Sequence, residues 1–322
     1  MAFDHISGHT TQKAILLRAL QHGRLAHAYL FEGPEGVGKR LMALALVRAL
    51  YCQSGTGCGD CLPCRKVDHG NHPDLHLLNN DDGIIKIDDV RQLQRDLSYR
   101  PIEAQRKSSL IDGADAMNPA AANALLKTLE EPPGDALIIL ISDRPDSLLD
   151  TIRSRCQRVP FRRLSKTLII ELLTSRLGLA ATEAQLLATL AEGSLSRALG
   201  QDRELYIDGR RSLLKKTLGL SPGAVSPLLA LAQELAEDKE RLPELLGILQ
   251  TFYRDALLMQ QGGRLDGLVN IDLLEPLQDL CGRTTTSQLL AKLDALADCR
   301  YRLQRNANRE LALDTLLMAL VA

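Results

Sequence analysis

At 322 residues, 45% hydrophobic and 25% charged, the chain has the composition of a water-soluble globular protein large enough to bury a core without disulfides. A formal net charge of -1 excludes a surface that attracts nucleic acid everywhere, so any contact with DNA must be local or shared with partners. Aromatic residues make up only 3% and Trp is absent, while Leu and Ala are abundant, a balance that favours helices over sheets.

The first residues, MAFDHISGHT, form neither a basic n-region nor an apolar h-region, and the apolar run 41–50 is too short to cross a bilayer. A cytoplasmic protein with no membrane association is expected. Residues 27–32 are a short apolar strand running into a glycine loop, and 41–50 is apolar nearly all round, as in a helix buried against a sheet. A brief strand is predicted at 75–78 and a helix at 87–97, opened near Asp88 and ended near Tyr99. Residues 108–111 form a strand that delivers Asp112 to its carboxyl end.

The next helix is well punctuated: Asn118 is a good N-cap, Pro119 suits the first helical position and Pro132-Pro133 ends the run. Met117, Ala121, Leu125 and Leu129 recur every four residues and predict one apolar stripe inside it. Residues 136–141 are a continuous apolar strand, the pattern of a sheet centre covered on both faces, and a helix-like segment follows at 146–152. Such alternation predicts an α/β domain with a parallel sheet covered by helices. Beyond Lys166 only Leu-rich helical periods remain, broken at Gly178, Gly193, Gly200 and Pro222. The division expected is an α/β domain over 1–164, a small helical unit over 165–207 and a larger helical bundle over 208–322, whose last helix carries Leu313, Leu316, Leu317 and Leu320 on one face.

Gly33-Pro34-Glu35-Gly36-Val37-Gly38-Lys39 matches a phosphate-binding loop and sits between strand and helix, where it should. Glycines let backbone N–H groups turn toward a phosphate, and Lys39 adds positive charge. The position after the lysine departs from the motif. It calls for a Ser or Thr hydroxyl on Mg²⁺, and Arg40 stands there. Asp112 ends a strand as a Mg²⁺-orienting carboxylate does, yet the next residue, Gly113, has no side chain to polarise a water; Asp115 is the only nearby substitute. Gly33, Gly36, Gly38, Lys39 and Asp112 therefore read as a degenerate nucleotide site that can bind ATP and is not expected to hydrolyse it.

Cys52, Cys58, Cys61 and Cys64 crowd into one segment, with the glycines and proline needed for tight turns between them. Four thiolates suit tetrahedral Zn²⁺ and leave no open position, so a structural metal is expected in a module over about 52–70, with an iron–sulfur cluster as the alternative. Arg153, Arg158, Arg162 and Arg163 read as solvated surface, and His72 as a loop residue.

Together, HAYLFEGPEGVGK, the four-cysteine insertion, Asn71-His72-Pro73-Asp74, AANALLKTLEEPP (121–133) and Ser154-Arg155-Cys156 resemble the bacterial clamp-loader family, with a softer match in NANRELALDTLLMAL (306–320). The resemblance implies a RecA-like AAA+ domain with an inserted zinc module, a helical lid and an all-helical collar that holds a five-membered ring. It also implies gamma/tau motor subunits and a delta subunit as partners, with the sliding clamp and primer–template DNA engaged through the complex. Arg155 would be an arginine finger reaching a neighbour's ATP site, and Arg197 lies near the family's sensor arginine. Arg40 and Gly113 point to the non-hydrolysing delta-prime branch of DNA polymerase III clamp loaders. Two other readings stand beside it: an active gamma/tau-type motor using Asp115, and a stand-alone zinc-dependent nucleic-acid binder.

Overall fold

The computed structural model describes residues 2–79, 83–199, 209–221, 223–239, 241–263, 267–305 and 307–321. It divides into two compact units, Met1–Leu179 with Ala191–Leu199, and Ala180–Leu190 with Gly200–Ala322. The boundary expected at 207 lies outside the described residues.

The first unit opens with α1 (Thr10–Gln21), β1 (Ala28–Glu32), α2 (Lys39–Tyr51), α3 (Leu62–Asp68), β2 (Leu75–Leu78) and α4 (Ile87–Ser98). It continues with β3 (Ser108–Asp112), α5 (Pro119–Glu130), β4 (Leu137–Ser142), α6 (Asp150–Arg153), β5 (Gln157–Pro160) and α7 (Lys166–Leu177). After α8 (Ala181–Leu190), which groups with the second unit, α9 (Leu195–Leu199) returns to the first.

All five strands are parallel, in the order β2-β3-β4-β1-β5. Successive side chains on a strand point to opposite faces. Tyr29, Phe31, Ile139 and Ile141 accordingly pack with Leu16 of α1 and Met42 and Leu46 of α2. Ala28, Leu30, Ile138 and Leu140 face the other way, against Val90 and Leu93 of α4 and Leu125 and Leu129 of α5. Burial on both faces is why β1 and β4 are apolar without alternation. The first unit is thus an α/β layer structure, a five-stranded parallel sheet covered by helices on both faces.

Some local expectations are corrected. Met117 lies outside α5, in extended backbone after a 3-10 turn at Ala114–Ala116, although it still packs on the α4–α5 core. The segment 146–152 is not one helix. A 3-10 turn (Pro145–Ser147) is followed by extended Leu148 and Leu149 before the single turn of α6, and the break lets Leu148 and Ile152 both enter the core. The helices α1 and α3 and the strand β5 carry no clear signal in the sequence. β5 is an edge strand paired only with β1, and Val159 alone among its residues is buried.

The Asn71-His72-Pro73-Asp74 segment is a structural clamp. The fully buried Asp74 carboxylate accepts hydrogen bonds from the backbone N–H groups of Ile102 (2.7 Å), Glu103 (2.8 Å) and Ala104 (2.7 Å). His72 Nδ1 accepts from the Asp74 N–H at 3.1 Å, and its ring lies 4.4 Å from that of Tyr51. Burial opposes ionisation of Asp74, but the three N–H bonds outweigh it and hold the carboxyl below the usual carboxylate range. Asp74→Asn is expected to cost roughly 2–3 kcal/mol of stability at pH 7, because an amide leaves buried donors without a charged acceptor. A depressed folded pKa contributes stability that is present above the unfolded value, about 3.9, and lost as pH falls through the folded value. The gap between wild type and variant in urea unfolding should therefore shrink on acidification; a gap unchanged down to about pH 2, below both values, would exclude this origin.

The second unit is helical throughout its described residues: α8, then α10 (Arg210–Leu218), α11 (Val225–Glu237), α12 (Leu242–Gln260), α13 (Leu274–Arg283), α14 (Thr286–Gln304) and α15 (Arg309–Val321). Leu313, Leu316, Leu317 and Leu320 of α15 are all buried, as their spacing predicts. A buried polar network ties α10 and α12 to the 269–272 segment: Asp255 accepts from the N–H groups of Val269 and Asn270, and Arg210 donates to Asn270 (2.7 Å) and Asp272.

Candidate functional site

The phosphate-binding loop joins the carboxyl end of β1 to α2. Gly33, Gly36 and Gly38 have φ of 140°, 74° and 103°, conformations that L side chains rarely adopt. Two of these glycines also admit close neighbours. A Cβ at Gly33 would lie 2.2 Å from the Phe161 carbonyl oxygen, and one at Gly36 would lie 2.0 Å from Ser196 Oγ and 2.1 Å from Ser194 Oγ. The Ser196 N–H donates to the Gly36 carbonyl at 3.1 Å, so the turn into α9 rests on the loop. An open cleft of 390 Å³ remains, lined by Lys39, Arg40, Asp112, Asp143, Ser196 and neighbouring residues. Arg197 is exposed and does not line it.

Lys39, almost fully buried, donates to the carbonyls of Gly33 (2.7 Å) and Pro34 (2.6 Å) and to Asp143 Oδ1 (2.5 Å). Its ammonium is thus directed at acceptors within the chain. Arg40 Nη1 donates to Asp112 Oδ2 at 2.7 Å and to Asn79 Oδ1 at 2.8 Å. The carboxylate at the end of β3 thus holds a guanidinium of the same chain. Asp115, the carboxylate that the sequence offers in place of one at Gly113, is engaged elsewhere: Oδ1 accepts from Ser142 Oγ (2.9 Å) and the Asp143 N–H (3.3 Å), and Oδ2 from Arg144 Nε (3.1 Å).

Asp143 and Asn79 were not singled out from the sequence. Both follow the carboxyl ends of strands, β4 and β2, where parallel α/β sheets gather their ligand-binding groups, and that rule was the available signal.

Arg155 lies at the opposite edge of the sheet. It precedes β5, which runs parallel to β1, so the length of a strand, roughly 13 Å for the five residues of β1, separates it from the phosphate-loop edge. Its guanidinium donates to the Thr151 carbonyl (2.9 Å) and to Glu130 Oε1 (2.5 Å).

The four clustered cysteines do converge. Their sulfur atoms all lie within 4.8 Å of one another, with separations of 3.6 Å (Cys52–Cys58), 3.9 Å (Cys61–Cys52) and 4.0 Å (Cys58–Cys64). A tetrahedron of Zn–S bonds near 2.3 Å has edges of about 3.8 Å, so the set fits zinc, whereas a disulfide needs about 2.05 Å. The N–H groups of Cys58 and Cys61 point at the sulfurs of Cys52 (3.4 Å) and Cys58 (3.5 Å). Burial disfavours the Cys52 thiolate, but bonds from Ser54 and Cys58 outweigh it and lower the thiol to about 5, while burial pushes Cys64 up. Among the described residues this is the one grouping of His, Cys, Asp or Glu of this kind, and no helix there is long and apolar enough to cross a membrane.

Comparison with known proteins bears on both units. The family described as "DNA polymerase III, delta subunit" matches residues 8–165, and "DNA polymerase III, delta subunit, C terminal" matches 207–321. A protein named DNA polymerase III subunit delta' from Bacillus subtilis is 32% identical over 312 residues, covering 95% of this chain and 94% of the relative. Its namesake from Pseudomonas aeruginosa is 34% identical over 312 residues, covering 91% of each. The DNA polymerase III subunit tau of Bacillus subtilis is 26% identical over 322 residues, covering 91% of this chain but 57% of that protein. With matches in both units and delta' relatives aligned over nearly their whole length, the chain belongs to the delta' family of DNA polymerase III subunits.

Proposed function

We propose that this chain is a non-hydrolysing clamp-loader subunit of a DNA polymerase III complex, helping to place the sliding clamp on primed DNA and supplying Arg155 to a neighbouring ATP site. Its partners would be tau/gamma-type motor subunits, one of which owns that site, and a delta subunit. The observation that carries the reading is the Arg40–Asp112 ion pair at 2.7 Å. In a working phosphoryl-transfer site, Mg²⁺ bridges the phosphates and is held by the loop hydroxyl and the strand-end Asp. Here the hydroxyl is absent, and an internal cation takes the Asp oxygen. The engagement of Asp115 with Ser142, Asp143 and Arg144 argues against the motor alternative.

The four cysteines would hold a structural Zn²⁺, which supplies cross-linking and no chemistry. Domains over 1–164, 165–207 and 208–322 would serve as AAA+ core, lid and collar. Gly33, Gly36, Gly38 and Lys39 would retain at most nucleotide binding, for which Lys39 must leave its present acceptors.

The test is ATP hydrolysis by the purified chain with Mg²⁺, expected at background. Arg40→Thr should strengthen Mg²⁺–nucleotide binding more than it raises turnover, since Gly113 still offers no carboxylate. Robust hydrolysis by the unmodified chain, free of motor subunit, would overturn the proposal.

A further inference from the structure

We infer that Glu130 is a positioning residue for Arg155, holding the guanidinium so that its remaining N–H groups face outward toward a neighbour's phosphate. The inference rests on the assignment of Arg155 made above. Glu130 is the last residue of α5, and a second carboxylate, Glu131, caps that end. Negative side chains are unfavourable there, because the final carbonyls of a helix already carry partial negative charge. Helix stability therefore does not account for Glu130.

Its contact does. Glu130 Oε1 accepts from Arg155 Nη2 at 2.5 Å, and the Thr151 carbonyl accepts from Nη1 at 2.9 Å. Two acceptors on different elements, the Glu130 carboxylate at the end of α5 and the Thr151 carbonyl in α6, favour the observed orientation of the Arg155 side chain over its other rotamers. A guanidinium carries five N–H donors, so these two bonds leave others free for an outside oxyanion. The side chains of Arg155 and Glu130 are 35% and 51% exposed. A pair so exposed contributes little to folding, so its effect should appear in orientation rather than in stability. Holding a catalytic group in place through neighbouring hydrogen bonds is a general requirement of such sites.

The experiment reconstitutes the full clamp-loader complex around this chain and measures DNA-stimulated ATP turnover. The variants are Glu130→Ala, Glu130→Gln, Glu130→Asp, Arg155→Ala and the double Glu130→Ala/Arg155→Ala. Glu130→Ala should lower the Arg155-dependent part of kcat on the order of tenfold, short of the ~10²-fold that a 1 Å misplacement can cost, with KM for ATP and melting temperature unchanged. Glu130→Gln, nearly the same shape, should lose part of the effect, and Glu130→Asp should recover little because its shorter reach breaks the contact. In the double variant, Glu130→Ala should add nothing. Wild-type turnover in both Glu130→Ala and Glu130→Gln, with Arg155→Ala impaired, would overturn the positioning role and leave the finger standing. An equal loss from Glu130→Ala with and without Arg155 would also overturn it. An unimpaired Arg155→Ala would remove the finger and this inference together.

Discussion

Arg155→Ala is expected to leave the complex assembled and to cut ATP turnover at the neighbouring site by on the order of 10³ to 10⁵ wherever the guanidinium is fully engaged. In phosphoryl transfer the negative charge spreads over the equatorial oxygens, and a cation supplied from outside stabilises it. Arg155 precedes the amino end of β5, whereas the phosphate loop follows the carboxyl end of the parallel strand β1, so the chain's own loop is not its target. One site of the ring would receive it, so total turnover should fall less than that factor if the other sites fire independently. Arg155→Lys should rescue poorly, because a point charge lacks the planar fork that contacts two oxygens. The measurement is DNA-stimulated ATPase and clamp loading by the reconstituted complex. Unchanged ATPase at saturating DNA, with weaker and more salt-sensitive DNA binding, would mean that Arg155 touches DNA phosphate instead.

The second large effect concerns the metal. The purified protein should carry about one Zn²⁺ per chain, as a closed Cys₄ site does. Structural zinc in small domains contributes about 10–16 kcal/mol of apparent binding energy, so removing one of four ligands should cost roughly 3–4 kcal/mol, or 10²- to 10³-fold in affinity. Cys61→Ala should thus lose zinc to a competing chelator that leaves the wild type loaded. The damage should stay local. Cys52 follows α2 and Cys64 lies in α3, which contributes Val67 to a sheet core otherwise closed by α1, α2, α4 and α5. Limited proteolysis should cut within 53–63 in the variant, while the far-ultraviolet circular dichroism changes little. Metal analysis under reducing conditions that finds no zinc, or finds iron with its visible absorbance, would end the assignment.

Much of this was legible in the chain itself wherever the controlling physics is local. β1 and β4 appear as apolar runs because the sheet centre is covered on both faces. Asn118 caps α5 through a bond to the Ala121 N–H only three residues on, so the helix start can be read directly. The cysteine spacing and the glycine loop are likewise short-range patterns, and Arg40 and Gly113 are visible as departures from a motif. Tertiary structure alone decided the pairings. Arg40 meets Asp112 from 72 residues away, Lys39 meets Asp143 from 104, and Arg155 meets Glu130 from 25. Each pair forms because strand order and helix ends bring distant charges together, and no periodicity encodes that. β5 escaped detection for a related reason: an edge strand with one buried side chain needs no apolar run, and only its pairing with β1 makes it a strand. Asp115 could be named from the sequence as a substitute carboxylate, but its oxygens are taken by Ser142 at the end of β4 and by Asp143 and Arg144 just after it, a commitment set by the fold and not by its place near Gly113.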